Sequence, residues 1–200
     1  MNRNIKYIIV VTILVLLTAC NSKPKTNFTN EQRVYDPNTM NLSAYQTRFM
    51  NEIANIRAKG AKCGGPVEPL INNPQLQAAA EAHSRDMALN HFVGHNGSGT
   101  LTDPARKSIG IGSSFIDRII FFGYPAKTHD LVGETVVNTK NSLVRSKDIS
   151  KHFKKALNII LNDPAHCRIL MNPRFNDIGI SAYRAKNGYY WTIDYGEIDH

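Results

Sequence analysis

Three cysteines and seven histidines supply most of the reactive chemistry in this 200-residue chain. An odd number of cysteines leaves at least one without a partner inside the molecule. Cys63 and Cys167 stand far apart and belong to no Cys-x-x-Cys pair, which is weak spacing for a metal site. Ser84 directly follows His83, but adjacent residues on a helix point in different directions, so the two make no dyad. No other activated nucleophile is visible. His83 falls on an apolar helical line with Leu76, Ala80 and Met87, the place of a buried histidine satisfied by a backbone carbonyl. His91 and His129 fall in loop sequence, His152 on the polar side of a helix, and His200 at the end of the chain.

The third cysteine has its own context. Arg3 and Lys6 precede an apolar run from Tyr7 to Leu17, a charged region followed by a hydrophobic one, as in an export signal. The run is shorter than the ~20 residues that span a bilayer. It ends in Leu17-Thr18-Ala19-Cys20, which resembles a bacterial lipobox and implies cleavage before Cys20 and diacylglycerol on its sulfur. Residues 1–19 are then a lipoprotein signal peptide. Residues 20–42 are the lipidated cysteine and a polar tether, with Pro24 and Pro37 and no apolar periodicity. Residues 43–200 are the folded domain. A flexible tether of this length spans ~25 Å on average. Two or three acyl chains hold a protein stably where one holds it marginally. The expected location is the bacterial cell envelope. That is the outer membrane in a diderm host, since Asn21 rather than Asp follows the cysteine, and otherwise the outer face of the cytoplasmic membrane.

With Cys20 acylated, Cys63 and Cys167 are left as an even pair in an oxidising compartment. A disulfide between them would close a loop of about 100 residues, worth about 4.7 kcal/mol in the chain-entropy description. Two buried thiols or a metal pair are the alternatives. The net charge of the full chain is 24 − 16 = +8. It suits an anionic lipid surface or an anionic wall polymer. Nucleic acid is excluded as a partner, because no dense basic patch with interleaved aromatics exists. Hydrophobic residues make up 42%, enough for a folded core and too much for a disordered chain.

The elements follow from period and caps. Ser43 opens a helix with Tyr45, Phe49, Ile53 and Ile56 on one face, stopped by Gly60. Asn73-Pro74 is an N-cap and first-turn pair for a second helix. Residues 94–113 hold five glycines and no period, and read as a long loop. Ser114 and Asp117 form a capping box for a short helix ending at Gly123. Asp148 starts a helix with Ile149, Phe153, Ala156 and Ile160 inside, and Asp163-Pro164 starts another through Met171. The period then changes to two: Ile178, Ile180 and Ala182 alternate with Gly179, Ser181 and Tyr183. Asn187-Gly188 reads as a type I′ turn into an aromatic strand, Tyr189 to Tyr195. Helices followed by antiparallel strands predict an α+β layered domain.

Several strings, in order, carry a resemblance. Asn73-Pro74-Gln75-Leu76 leads to Ala79-Ala80-Glu81-Ala82-His83, then Phe92-Val93-Gly94-His95-Asn96 and Gly133-Glu134-Thr135-Val136. Asn162-Asp163-Pro164-Ala165-His166-Cys167 and Phe175-Asn176-Asp177-Ile178-Gly179 follow. Over about residues 43–196 the series resembles the CAP superfamily (cysteine-rich secretory proteins, antigen 5, pathogenesis-related 1) in its short bacterial form. The resemblance implies an α–β–α sandwich with a central antiparallel sheet. It also implies a cleft where His95, Glu134 and His166 match three of the family's two histidines and two glutamates. Thr135 replaces the Asn of the family's Gly-Glu-Asn, and the second glutamate has no match, since residues 149–161 contain no acid.

Three uses of His95, Glu134 and His166 are open. Two neutral imidazoles can hold Zn²⁺, with Glu134 as third ligand or as orienter of a ring N–H. A His–Glu pair can serve as a general base without metal. The cluster can line a site for an anionic or polar ligand head. The expectation is an envelope-anchored lipoprotein that binds a ligand in this cleft. The alternative is a metal-dependent hydrolase of peptide or cell-wall material, catalytic through the same three residues.

Overall fold

The structure, a computed structural model, describes residues 43–126, 132–140 and 148–198. The signal peptide, Cys20, the tether, His129 and His200 lie outside them. Nine elements run in order: α1 (Ser43–Lys59), β1 (Ile71–Asn72), α2 (Pro74–Asn90), α3 (Phe115–Phe121), β2 (Val132–Lys140), α4 (Ile149–Asn162), α5 (Pro164–Leu170), β3 (Asp177–Ala185) and β4 (Gly188–Gly196). The sheet order is β1-β3-β4-β2. β2, β4 and β3 pair antiparallel, and β1 adds a two-residue parallel pairing at the edge of β3. The fold is the α+β class that the change of period predicts.

Alternation along the strands sorts side chains into two helical layers. Ile178, Ile180 and Ala182 of β3, and Trp191, Ile193 and Tyr195 of β4, face one core. There they meet Phe49 and Ile53 of α1, Phe153 and Ile160 of α4, and Leu170 of α5. The alternate residues face α2. Met87 and Ala88 pack with Val136, Tyr183 and Tyr190, and Leu76 and Ala79 pack with Ile119, Tyr124 and Val132. Gly179 is required here: a Cβ on it would lie 2.1 Å from the backbone carbon of Leu76. Beyond the short β1, the free backbone of β3 is closed by the Gln77 amide, which donates to the Ile180 carbonyl (2.6 Å) and accepts from its N–H (3.0 Å).

The caps act as predicted. Asn73 accepts from the N–H groups of Gln75 and Leu76 ahead of Pro74, and the Ser114–Asp117 capping box is complete. Asp148 and Asp163 cap α4 and α5. Gly60, with φ +80°, follows the end of α1.

Three local readings change. The hairpin turn is Lys186-Asn187, because Ala185 pairs with Gly188. Neither turn residue takes a positive φ, so it is not a type I′ turn; Gly188 takes that strain, at φ +129°. β2 is a full nine-residue strand where the sequence offers only the Gly133–Val136 string. His152 is buried, not on a polar face: it lies one turn beyond Ile149, inside the apolar stripe. Its Nδ1 is 3.2 Å from Thr139 Oγ1 and its ring packs on Tyr189.

Two fastenings hold α5. Cys63 and Cys167 form a disulfide across 104 residues, which settles the choice among disulfide, thiols and metal pair. Arg57 of α1, fully buried, donates to the carbonyls of Glu68, Leu170, Asn172 and Phe175.

Candidate functional site

Strand alternation turns Glu134 of β2 toward the α2 side of the sheet, directly opposite Asp194 of β4 in the register. Burial pushes the Glu134 carboxyl up. His95, Arg118 and His83 together outweigh this and hold it below its ordinary range. His95 Nδ1 is 2.8 Å from Oε1. Arg118 Nη2 donates to Oε2 at 2.6 Å. His83 Nε2 stands 3.9 Å from Oε2.

His83 comes from α2 and is buried. Its Nε2 meets the Gly94 carbonyl at 2.7 Å, the role its place on the apolar line predicts. Desolvation holds its pKa down, against the pull of Glu134. The Gly94 contact also pins the start of the loop that carries His95.

Arg118 comes from α3. Besides Glu134 it donates to the His95 carbonyl (2.8 Å) and to the carbonyl and hydroxyl of Ser113. One guanidinium therefore fixes both the carboxylate and the backbone of the histidine that carboxylate holds. Asp194 is fully buried and neither of its oxygens has a hydrogen-bond donor. Burial first, and the charge of Glu134 second, raise its pKa well above its ordinary value. Both residues interrupt apolar runs, Phe115-Ile116-Asp117-Arg118-Ile119-Ile120 and Trp191-Thr192-Ile193-Asp194-Tyr195. A charge inside an apolar run was the available signal for them.

His166 arrives from the opposite layer. Asp163 accepts from the Ala165 and His166 N–H groups, both at 2.9 Å, and so sets the first turn of α5. The His95 and His166 ring centroids are 6.5 Å apart. His166 Nδ1 is buried without a hydrogen bond, and Asp163 Oδ1 is 3.7 Å away.

The three predicted residues are thus brought together, in unequal roles. The His95 side chain is 49% exposed and that of Glu134 is 0%; that of His166 is 22% exposed. Solvent meets two imidazoles, with the carboxylate sealed behind the first. Because Glu134 can only accept, His95 Nδ1 donates and Nε2 faces outward. The hydrogen bond to Glu134 raises the His95 pKa. Burial lowers that of His166, with Asp163 opposing and His95 adding to the fall. The rings are pushed apart in proton affinity, the pattern that separates an acid from a base.

Zinc fits this arrangement incompletely. Both Glu134 oxygens are engaged, which makes it an orienter behind His95 rather than a third ligand. Among the described residues, no group of three His, Cys, Asp or Glu side chains is placed to hold a metal ion. No helix of the described residues is long and apolar enough to cross a membrane.

Comparison with known proteins agrees with this fold. The chain is similar in fold to an outer surface protein of Borrelia burgdorferi, with a TM-score of 0.55 and 17% identity, over 80% of this chain and 98% of that one. It is also similar to an extracellular protein of Bacillus anthracis containing an SCP domain, with a TM-score of 0.53 and 19% identity. There the likeness covers 76% of this chain and 40% of the longer Bacillus chain. No curated protein sequence matches the chain. The family model described as the cysteine-rich secretory protein family matches residues 50–195, a span that includes the sheet, both histidines, Glu134 and the disulfide: the chain belongs to the CAP family.

Proposed function

We propose that this protein is a membrane-anchored, extracytoplasmic CAP-domain lipoprotein that binds a ligand at the cell envelope through His95 and His166. One observation carries the reading: the two solvent-reachable rings are tuned in opposite directions, His95 up by Glu134 and His166 down by burial. His95 is thereby the ring that holds a proton more readily and His166 the one that gives it up, with their centroids 6.5 Å apart. Such a pair suits a polar or anionic group, as on a wall polymer or a lipid head. The lipobox at Cys20 supports the anchor. The two similar proteins, one an outer surface protein and the other extracellular, support the compartment. The alternative, a metal-dependent hydrolase, needs a third ligand that the described residues do not bring.

The test is co-sedimentation with purified cell-wall polymer. Binding should weaken about tenfold, the loss of one charge-assisted hydrogen bond, in both His95→Ala and His166→Ala. Unchanged binding in both variants would overturn the reading. Dialysis against Zn²⁺ separates the alternative. Stoichiometric metal lost in both variants, with cleavage of peptide or wall polymer, would favour the hydrolase. A parent protein without bound metal would exclude it.

A further inference from the structure

Scattered apolar side chains on a surface are ordinary, but a contiguous group marks an interaction site. Five of the exposed large apolar side chains lie in one loop and the helix after it. Leu101 is 80% exposed, Ile109 71%, Ile111 56%, Ile120 53% and Phe121 42%. Backbone contacts bring the two arms of the loop together. Gly110 N–H donates to the Gly99 carbonyl at 2.9 Å, and Lys107 N–H to the Ile111 carbonyl at 3.1 Å. Lys107 Nζ reaches 3.7 Å from Asp117 Oδ2, one turn before Ile120 and Phe121 on α3.

The loop is held in this form from beneath. Asp86 of α2 accepts from the N–H and hydroxyl of Ser98 and from the hydroxyl of Thr102. Asp103 accepts from the N–H and hydroxyl of Ser113 and from the Gly99 N–H. Both aspartates are buried. Carboxylates sealed under a loop fix its backbone, so the apolar tips stay outward.

We propose that this face docks on the anionic surface of a lipid bilayer, a step that rests on the lipid-anchor reading above. The charge fits. Arg106 and Lys107 precede Ile109, and the partly buried Asp117 offsets the second of them, which leaves the stretch net positive. Basic residues beside inserted apolar ones are what an anionic interface takes up. The reach fits as well. Chain from Cys20 to Ser43 extends at most ~80 Å. The anchor therefore keeps the domain at high effective concentration over lipid, where a weak patch suffices.

The experiment places a tryptophan at the tip by Ile109→Trp, in the chain recovered from the cell and in residues 21–200 made without acyl groups. Vesicles are phosphatidylcholine mixed with phosphatidylglycerol, with and without brominated acyl chains. Mass spectrometry of the recovered chain reports on the anchor separately. The introduced tryptophan should shift to the blue and be quenched by brominated chains in both proteins. The unanchored form should need at least about 100-fold more lipid and lose binding in high salt. Adding Leu101→Ser and Ile111→Ser should weaken its partitioning about tenfold for each side chain. An acylated chain that sediments with vesicles while its tryptophan stays unquenched would overturn the docking face and leave the anchor standing. A full chain recovered from the cell that mass spectrometry shows to carry no acyl group, yet is still quenched, would overturn the anchor alone. A blue shift that depends on protein concentration without lipid would assign the face to a second copy instead.

Discussion

Glu134→Gln keeps the shape of the side chain and removes its charge, leaving the Arg118 guanidinium buried without an anion. Breaking a buried pair from one side costs about 3–5 kcal/mol, and urea denaturation at pH 7 should show a loss of that size. The pH dependence has two signs. The Glu134 pKa is lowered in the fold, so its contribution is present above the ordinary carboxylate range and lost as pH falls through the folded value. The His95 pKa is raised, so its contribution is complete below its unfolded value and lost as pH rises through the folded one. In an NMR titration His95 should titrate above 6.5 and above His166 in the parent protein, and lower in Glu134→Gln. Asp194 behaves oppositely to Glu134. Its pKa is raised, so stability falls as pH rises from the unfolded value toward the folded one. Asp194→Asn removes that loss, so its stabilising effect should be larger at pH 8 than at pH 4, read from the urea midpoints at the two pH values.

Among the elements, α2 and β3 approach most closely at Gly179, where a methyl group would strike the α2 backbone. Backbone cannot step aside as a side chain can. Gly179→Ala should therefore cost about 3 kcal/mol or more, read as a drop in the urea midpoint with an unchanged slope. The caps, Asn73, Ser114, Asp148 and Asp163, were legible in sequence because each works through its immediate neighbours. β2 was not: Val132–Lys140 is a strand because β4 lies beside it, and no alternation within Gly133-Glu134-Thr135 announces that. His152 was misplaced for a related reason, since a polar side chain inside an apolar stripe finds its partner, Thr139, on a distant strand.

At the scale of the molecule, the disulfide joins the segment after α1 to α5 and so encloses most of the described domain. Replacing both Cys63 and Cys167 by Ser should cost about 2–5 kcal/mol, and reductant should bring the parent protein to the same urea midpoint. The family's motif order located both histidines and Glu134, because each sits in a short string. Arg118 and Asp194 escaped, because their meaning is set by the strand and loop that surround them. The two holds on α5 carry one more consequence. A seven-residue helix is too short to persist by itself; here Cys167 ties its middle covalently, and Arg57 grips its last carbonyl and those of Asn172 and Phe175 beyond it. A protein matured in a reducing compartment would keep the second grip, and so would keep its paired rings near their working separation. Trading that arginine for methionine would let one ring drift while the other, riveted from the far side of the sheet, stayed put.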